Sequence, residues 1–186
     1  MDEKSEKSLL LNKFDGCWEK FKELYRKSKP VPMKIWHGTP YPLLLSEHDM
    51  VFHLANLCYK EFQGSFNFGD GCVHLEINFE HRKRVDMGIT NQANLEALRN
   101  ENLDYVTRDK RLRYEVLVET KIVFKDKGKD YSLDSVGRDV EKLTQLNKAI
   151  LNLVCVIDKR KKPKSSDYTT LENKQVYIRY ISDNPM

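Results

Sequence analysis

Residues Tyr114–Ile122 read YEVLVETKI. The run is mostly apolar and β-branched, which favours a strand. Successive strand side chains point to opposite faces. Glu115, Leu117, Glu119 and Lys121 therefore share one face, and Val116, Val118, Thr120 and Ile122 share the other. The second face reads as core. A wet first face would account for Glu119 beside Lys121, because half-buried strands alternate in this way and such a pair is worth roughly a few tenths of a kcal/mol. A functional role needs further charged residues converging on the pair.

Upstream, GCVHLEINFE alternates Val73, Leu75, Ile77 and Phe79 against His74, Glu76, Asn78 and Glu80. After the polar link HRK, RVDMGIT alternates Val85, Met87 and Ile89 against Arg84, Asp86 and Gly88. Two alternating runs joined by a short polar link predict an antiparallel hairpin. Asp86 stands in mid-strand, where aspartate is depleted. Sequential strands are neighbours about two-thirds of the time, so Asp86, Glu119 and Lys121 can converge on one place.

Helical spacing appears on both sides of these strands. Leu10, Phe14, Trp18, Phe21 and Tyr25 predict an amphipathic helix over residues 5–28, which KSKPVP ends. LSEHDMVFHLANLCYKEF predicts a second helix capped by Ser46, with Glu47 and Asp49 in its first turn and Val51, Leu54, Leu57 and Cys58 as its buried stripe. Residues 91–112 are polar, with a short helix around Leu95 and Leu98. KDKGKDYS reads as a loop. LDSVGRDVEKLTQLNKAI reads as a helix on Val136, Val140, Leu143 and Leu146 or Ile150. LNLVCVID is then a buried strand, KRKKPK a loop and KQVYIRYIS a last strand. This order predicts an α/β (α+β) fold, a mixed sheet flanked by helices. Residues 1–35 read as a helical extension with its linker, and 36–186 as the core domain.

Composition bounds the rest. A chain of 186 residues, 40% apolar and 10% aromatic, can bury a core. No apolar run is long enough to span a membrane, and the charged MDEKSEKSLLLNKFD does not read as a signal peptide. Cys17, Cys58, Cys72 and Cys155 form no Cys-x-x-Cys pair, so zinc and iron–sulfur ligation have no support. Free buried thiols suit a reducing, cytoplasmic setting. Net charge is +4. Lys159, Arg160, Lys161, Lys162 and Lys164 crowd one short stretch, either a solvated loop or a set of phosphate contacts.

Two carboxylates with an ammonium have a clear chemical use. Mg²⁺ takes oxygen ligands, commonly one or two carboxylates with water and substrate phosphate. It acidifies a bound water and clamps the oxygens of an in-line displacement. A neighbouring lysine can orient that water and offset charge on the phosphorus oxygens. The Thr120 carbonyl could add a further oxygen.

RVDMGI, VLVETKI and the later helix with RDVEKLTQL together resemble the PD-(D/E)xK nuclease superfamily, the restriction-endonuclease-like fold. The resemblance spans roughly residues 41–157. That family carries an aspartate on its second core strand, Glu-x-Lys on its third, and a glutamate on a preceding helix. The resemblance makes Asp86 and Glu119 metal ligands, Lys121 the catalytic lysine, and Glu47 the glutamate that contacts metal-bound water. It implies a nuclease hydrolysing DNA with Mg²⁺ or Mn²⁺, and a homodimer as one form such enzymes take. Departures exist. Val85 stands where a proline often precedes the aspartate, and Ala149 rather than tyrosine follows Gln145 by four positions. Asp139 and Lys142 resemble residues of other members, with no assigned role. One alternative is a catalytically silent nucleic-acid-binding or assembly module on the same fold. Another is an adaptor that docks through its N-terminal aromatic helix.

Overall fold

The computed structural model describes residues 2–28, 33–34, 40–41, 46–62, 73–79, 83–99, 101, 107, 111–126, 129–131, 133–160 and 164–182. In chain order the elements are α1 (Glu3–Ser28), β1 (Met33–Lys34), β2 (Pro40–Tyr41), α2 (Glu47–Phe62), β3 (Val73–Asn78), β4 (Arg84–Ile89), α3 (Gln92–Arg99), β5 (Tyr114–Asp126), β6 (Lys129–Tyr131), α4 (Leu133–Leu146), β7 (Ala149–Asp158), α5 (Ser165–Thr169) and β8 (Val176–Ser182). The main sheet runs β3-β4-β5-β7-β8. Its first three strands are antiparallel and its last three parallel, so β5 is the strand where direction changes. β3 and β4 pair antiparallel, as expected of the two alternating runs, and α4 is the crossover that returns the chain to pair β7 with β5.

Both faces of β5 are buried. Val116 and Val118 pack with α1, α2 and β7 side chains, whereas Leu117 and Val123 pack with Val136, Val140 and Leu143 of α4. Strands in parallel ladders are usually covered on both sides. The face carrying Glu119 and Lys121 is therefore not a wet face, and the two charges lie under α4.

α1 is part of this core rather than a separate extension. Phe14, Cys17, Trp18, Phe21 and Tyr25 are buried against Leu54 and Cys58 of α2 and Leu151 and Leu153 of β7. Arg179 of β8 also grips the Asp15 carboxylate with two hydrogen bonds, at 2.6 and 3.0 Å. Burial of the whole aromatic stripe removes it as a docking surface.

Three local expectations change. Within KDKGKDYS, Lys129–Tyr131 forms β6 and pairs back onto the end of β5. The helix expected to reach Ile150 stops at Leu146, because Asn147 takes a left-handed φ of 43°, and Ile150 lies in β7. Asparagine tolerates that conformation better than most residues, so it suits a helix end. A short helix, α5, follows the basic loop and buries Tyr168. Among the described residues, no helix is long and apolar enough to cross a membrane.

Candidate active site

The site begins with a break in two ladders. β4 pairs with β3 through Met87–Leu75 and Val85–Ile77, and with β5 through Met87–Val118. Asp86, between Val85 and Met87, belongs to neither ladder. Its counterpart across β3, Glu76, has a φ of 52°. For a residue with a Cβ that conformation costs about 1–2 kcal/mol. The hairpin also changes sides here. Val73, Met87 and Ile89 pack in the cluster with α1 and α2, while Ile77 and Val85 pack in the cluster with α4. Leu75, which precedes the switch on edge strand β3, is exposed.

Carboxylates occupy the gap. Asp86 Oδ2 accepts the Thr120 N–H and the Thr120 hydroxyl, each at 2.8 Å. Two residues further along β5, Ile122 N–H donates to Glu47 Oε1 at 3.1 Å. Glu47 is free to do this because Asp49 serves the helix start. Ser46 N–H donates to Asp49 Oδ2 at 2.9 Å, and Asp49 N–H donates to Ser46 Oγ at 3.2 Å, a reciprocal cap. N–H and C=O of one strand residue leave on the same side. The Thr120 carbonyl therefore faces the opening that holds Asp86.

On the α4 side, Lys121 Nζ lies 3.3 Å from Asp139 Oδ2 and 3.5 Å from Glu47 Oε2. Lys142 Nζ contacts Glu119 Oε1, lies 3.5 Å from Asp139 Oδ1, and donates to the Arg84 carbonyl at 2.9 Å. Glu119 is only 2% exposed. Burial first, then the neighbouring Asp86 charge, push its acid up to about 8, against the opposing pull of Lys142. Burial works to lower the Lys121 pKa, but Asp139, Glu47 and Asp86 outweigh it and hold it above the usual lysine value. Lys121 is thus an ammonium at neutral pH.

Asp86, Glu119, Lys121 and Glu47 are therefore brought together, with Thr120 between them. Asp139 and Lys142 join them. A signal for Asp139 was present in the sequence, since it falls three residues after Val136 and four before Leu143, inside the apolar stripe of α4. An acid in such a stripe needs a buried partner.

Asp86 and Glu47 open onto a cleft of about 520 Å³ shared with His48, Val51, Phe52, Leu75, Glu76 and Arg84. A second cleft, of about 320 Å³, lies near the starts of β5 and β7 and is lined in part by Arg111, Arg113 and Lys148. It lies apart from this network, and Arg111 is already paired with Glu101.

The basic stretch needs correction at Arg160. Its guanidinium turns inward, donating to both carboxylate oxygens of the fully buried Asp158 and, at 2.9 Å, to Asp167. Tyr168 adds a hydroxyl bond to Asp158 at 2.6 Å. Arg160 is thereby a structural cation, not a free phosphate contact. Lys164 is exposed and Lys159 half-buried, whereas Lys161, Lys162 and Cys72 lie outside the described residues.

The donors of Asp86, Glu119 and the Thr120 carbonyl are all oxygens, the set that a hard divalent cation takes. Among the described residues, no three His, Cys, Asp or Glu side chains already stand as a ready ligand group. No family model, curated protein or solved structure matches the chain.

Proposed function

We propose that the chain is a Mg²⁺- or Mn²⁺-dependent nuclease that hydrolyses DNA phosphodiester bonds on a restriction-endonuclease-like scaffold. One observation carries the reading. Asp86 and Glu119, from adjacent strands, meet Lys121 where the β4–β5 ladder parts around Thr120. The order β3-β4-β5-β7, with α2 before it and α4 as crossover, supports the scaffold that the motif implies.

In this reading Asp86, Glu119 and the Thr120 carbonyl would hold the metal, which would supply Lewis acidity at the scissile phosphate. Lys121 is protonated, so it acts as a donor rather than a base. It orients the attacking water and offsets charge gathering on the phosphorus oxygens. Asp139 and Glu47 hold its ammonium between them, which fixes the donor before substrate arrives. Exposed lysines such as Lys164 contribute sequence-independent phosphate attraction.

The test is cleavage of supercoiled plasmid, linear duplex, single strand and four-way junction with Mg²⁺ or Mn²⁺, run beside Lys121→Ala. Metal-dependent cutting that the variant loses is the expected result. Absence of cutting on every substrate overturns the enzyme.

A catalytically silent nucleic-acid-binding or assembly module is the second reading. It is favoured by one feature, that Lys142 already occupies Glu119 and Lys121 is held between Asp139 and Glu47, so the site's own cations fill it from within. Equal DNA binding by wild type and Lys121→Ala, with no cutting by either, would select it.

A further inference from the structure

We infer that the cleft beside Asp86 and Glu47 receives an unpaired nucleobase, so that the substrate is single-stranded nucleic acid; this rests on the phosphodiesterase reading above. Phe52 is 62% exposed and Leu75 47% exposed. Both line this cleft, together with Val51. α2 turns Met50, Leu54, Ala55 and Cys58 into the core, so Phe52 contributes nothing to core packing. Leu75 lies on edge strand β3, on the face that it shares with Val73, and is left open there.

The wall so formed is apolar and exposed. His48 stands one helical turn before Phe52, on the same side of α2. Arg84 and Glu76, 3.6 Å apart, add donors and acceptors at the rim. An aromatic face with polar groups at its edge is what a base needs, a stacking surface plus partners for its edge. Without a metal the cleft's charges disfavour a phosphate, so the phosphodiester would enter only beside the bound cation, leaving the apolar wall to the base. Glu47, Glu76 and Asp86 outnumber Arg84 there. Its volume of about 520 Å³ lies in the usual range of small-ligand sites.

Continuity completes the argument. The carboxylates that would act on the phosphodiester and the aromatic wall belong to one cleft, so a phosphate and its own base can occupy neighbouring positions. Bases within a duplex keep their faces stacked on each other. Only an unpaired base offers its face to Phe52.

The experiment is fluorescence anisotropy with a labelled twelve-nucleotide single strand, DNA or RNA, and the matching duplex, in EDTA. It uses the full chain as wild type, Phe52→Ala and Phe52→Trp. Phe52 is solvent-facing, so its variants fold. Single strand should bind more tightly than duplex. Phe52→Ala should weaken it about tenfold, with Phe52→Trp restoring it. A Phe52-dependent preference for either the DNA or the RNA strand supports the pocket. Unchanged single-strand binding by Phe52→Ala, or preferred binding of duplex, overturns it. Phe52-dependent binding without metal-dependent cutting keeps the pocket and removes the nuclease. Cutting of duplex that ignores Phe52 does the reverse.

Discussion

The Asp86 carboxylate takes both the backbone N–H and the hydroxyl of Thr120, each at 2.8 Å. It supplies by side chain the acceptor that the β4–β5 ladder omits at this point. Thr120 is fully buried, so a residue assigned to the chemistry also carries a structural burden.

Replacing Asp86 by alanine strands two buried donors, and a stranded donor costs about 1–3 kcal/mol. We expect Asp86→Ala to lose on the order of 3 kcal/mol of stability in urea unfolding. Asp86→Asn keeps an acceptor oxygen and should lose less than half of that. Equal stability of Asp86→Ala and wild type would show that the clamp is not structural.

Glu119 sets a pH dependence. Its acid sits at about 8 in the fold against an ordinary 4.5. Between those values the folded protein keeps a proton that the unfolded chain has lost. The stabilisation is therefore complete below pH 4.5 and declines as pH rises towards 8, by at most about 1.4 kcal/mol per pH unit. Glu119→Gln stays neutral throughout. Its urea midpoint, measured in EDTA, should gain on wild type steadily from about pH 5 to about pH 8. A constant difference between the two proteins would show that the acid is not raised.

Gly88 is required by close approach. A Cβ there would stand 2.3 Å from Ile77 Cδ1 and 2.7 Å from Tyr114 Cδ1. The isoleucine tip can move, but the Tyr114 ring is buried and cannot. Gly88→Ala should cost about 1–3 kcal/mol. Adding Ile77→Val should recover only part of it, and full recovery would mean that the ring yields after all.

Arg160 separates fold from binding. Arg160→Ala leaves Asp158 as a buried carboxylate with Tyr168 as its remaining side-chain partner, a loss of about 3–5 kcal/mol. Lys164→Ala should leave the melting temperature unchanged. If DNA binds, the slope of log affinity against log salt should fall for Lys164→Ala and stay fixed for a folded Arg160→Lys. The opposite pattern would return Arg160 to the surface.

Much of the fold was visible in local sequence. Ser46 with Asp49 marked the start of α2, and alternation around HRK marked the hairpin. The buried run at 151–158 marked β7. These signals join residues a few positions apart, where periodicity and capping act. The same rules put Val73, Leu75, Ile77 and Phe79 on one face, because strict alternation presumes extended backbone throughout and Glu76 is not extended. They also left Arg160 among its basic neighbours, since a count of cations does not register the buried Asp158 two residues earlier.

By itself, then, the sequence determined the order of the longer helices and main-sheet strands and named Asp86, Glu119, Lys121 and Glu47 as residues worth watching. Only the tertiary structure decided that they meet. Asp86 lies 34 residues from Thr120, Glu47 lies 75 from Ile122, and Lys142 lies 58 from Arg84. Contacts over such separations come from strand pairing and helix packing across the whole sheet. So does the ionic state of the site, in which burial raises Glu119 and the surrounding carboxylates keep Lys121 charged. A linear pattern can present the charges, but dielectric and distance exist only once the chain has closed around them.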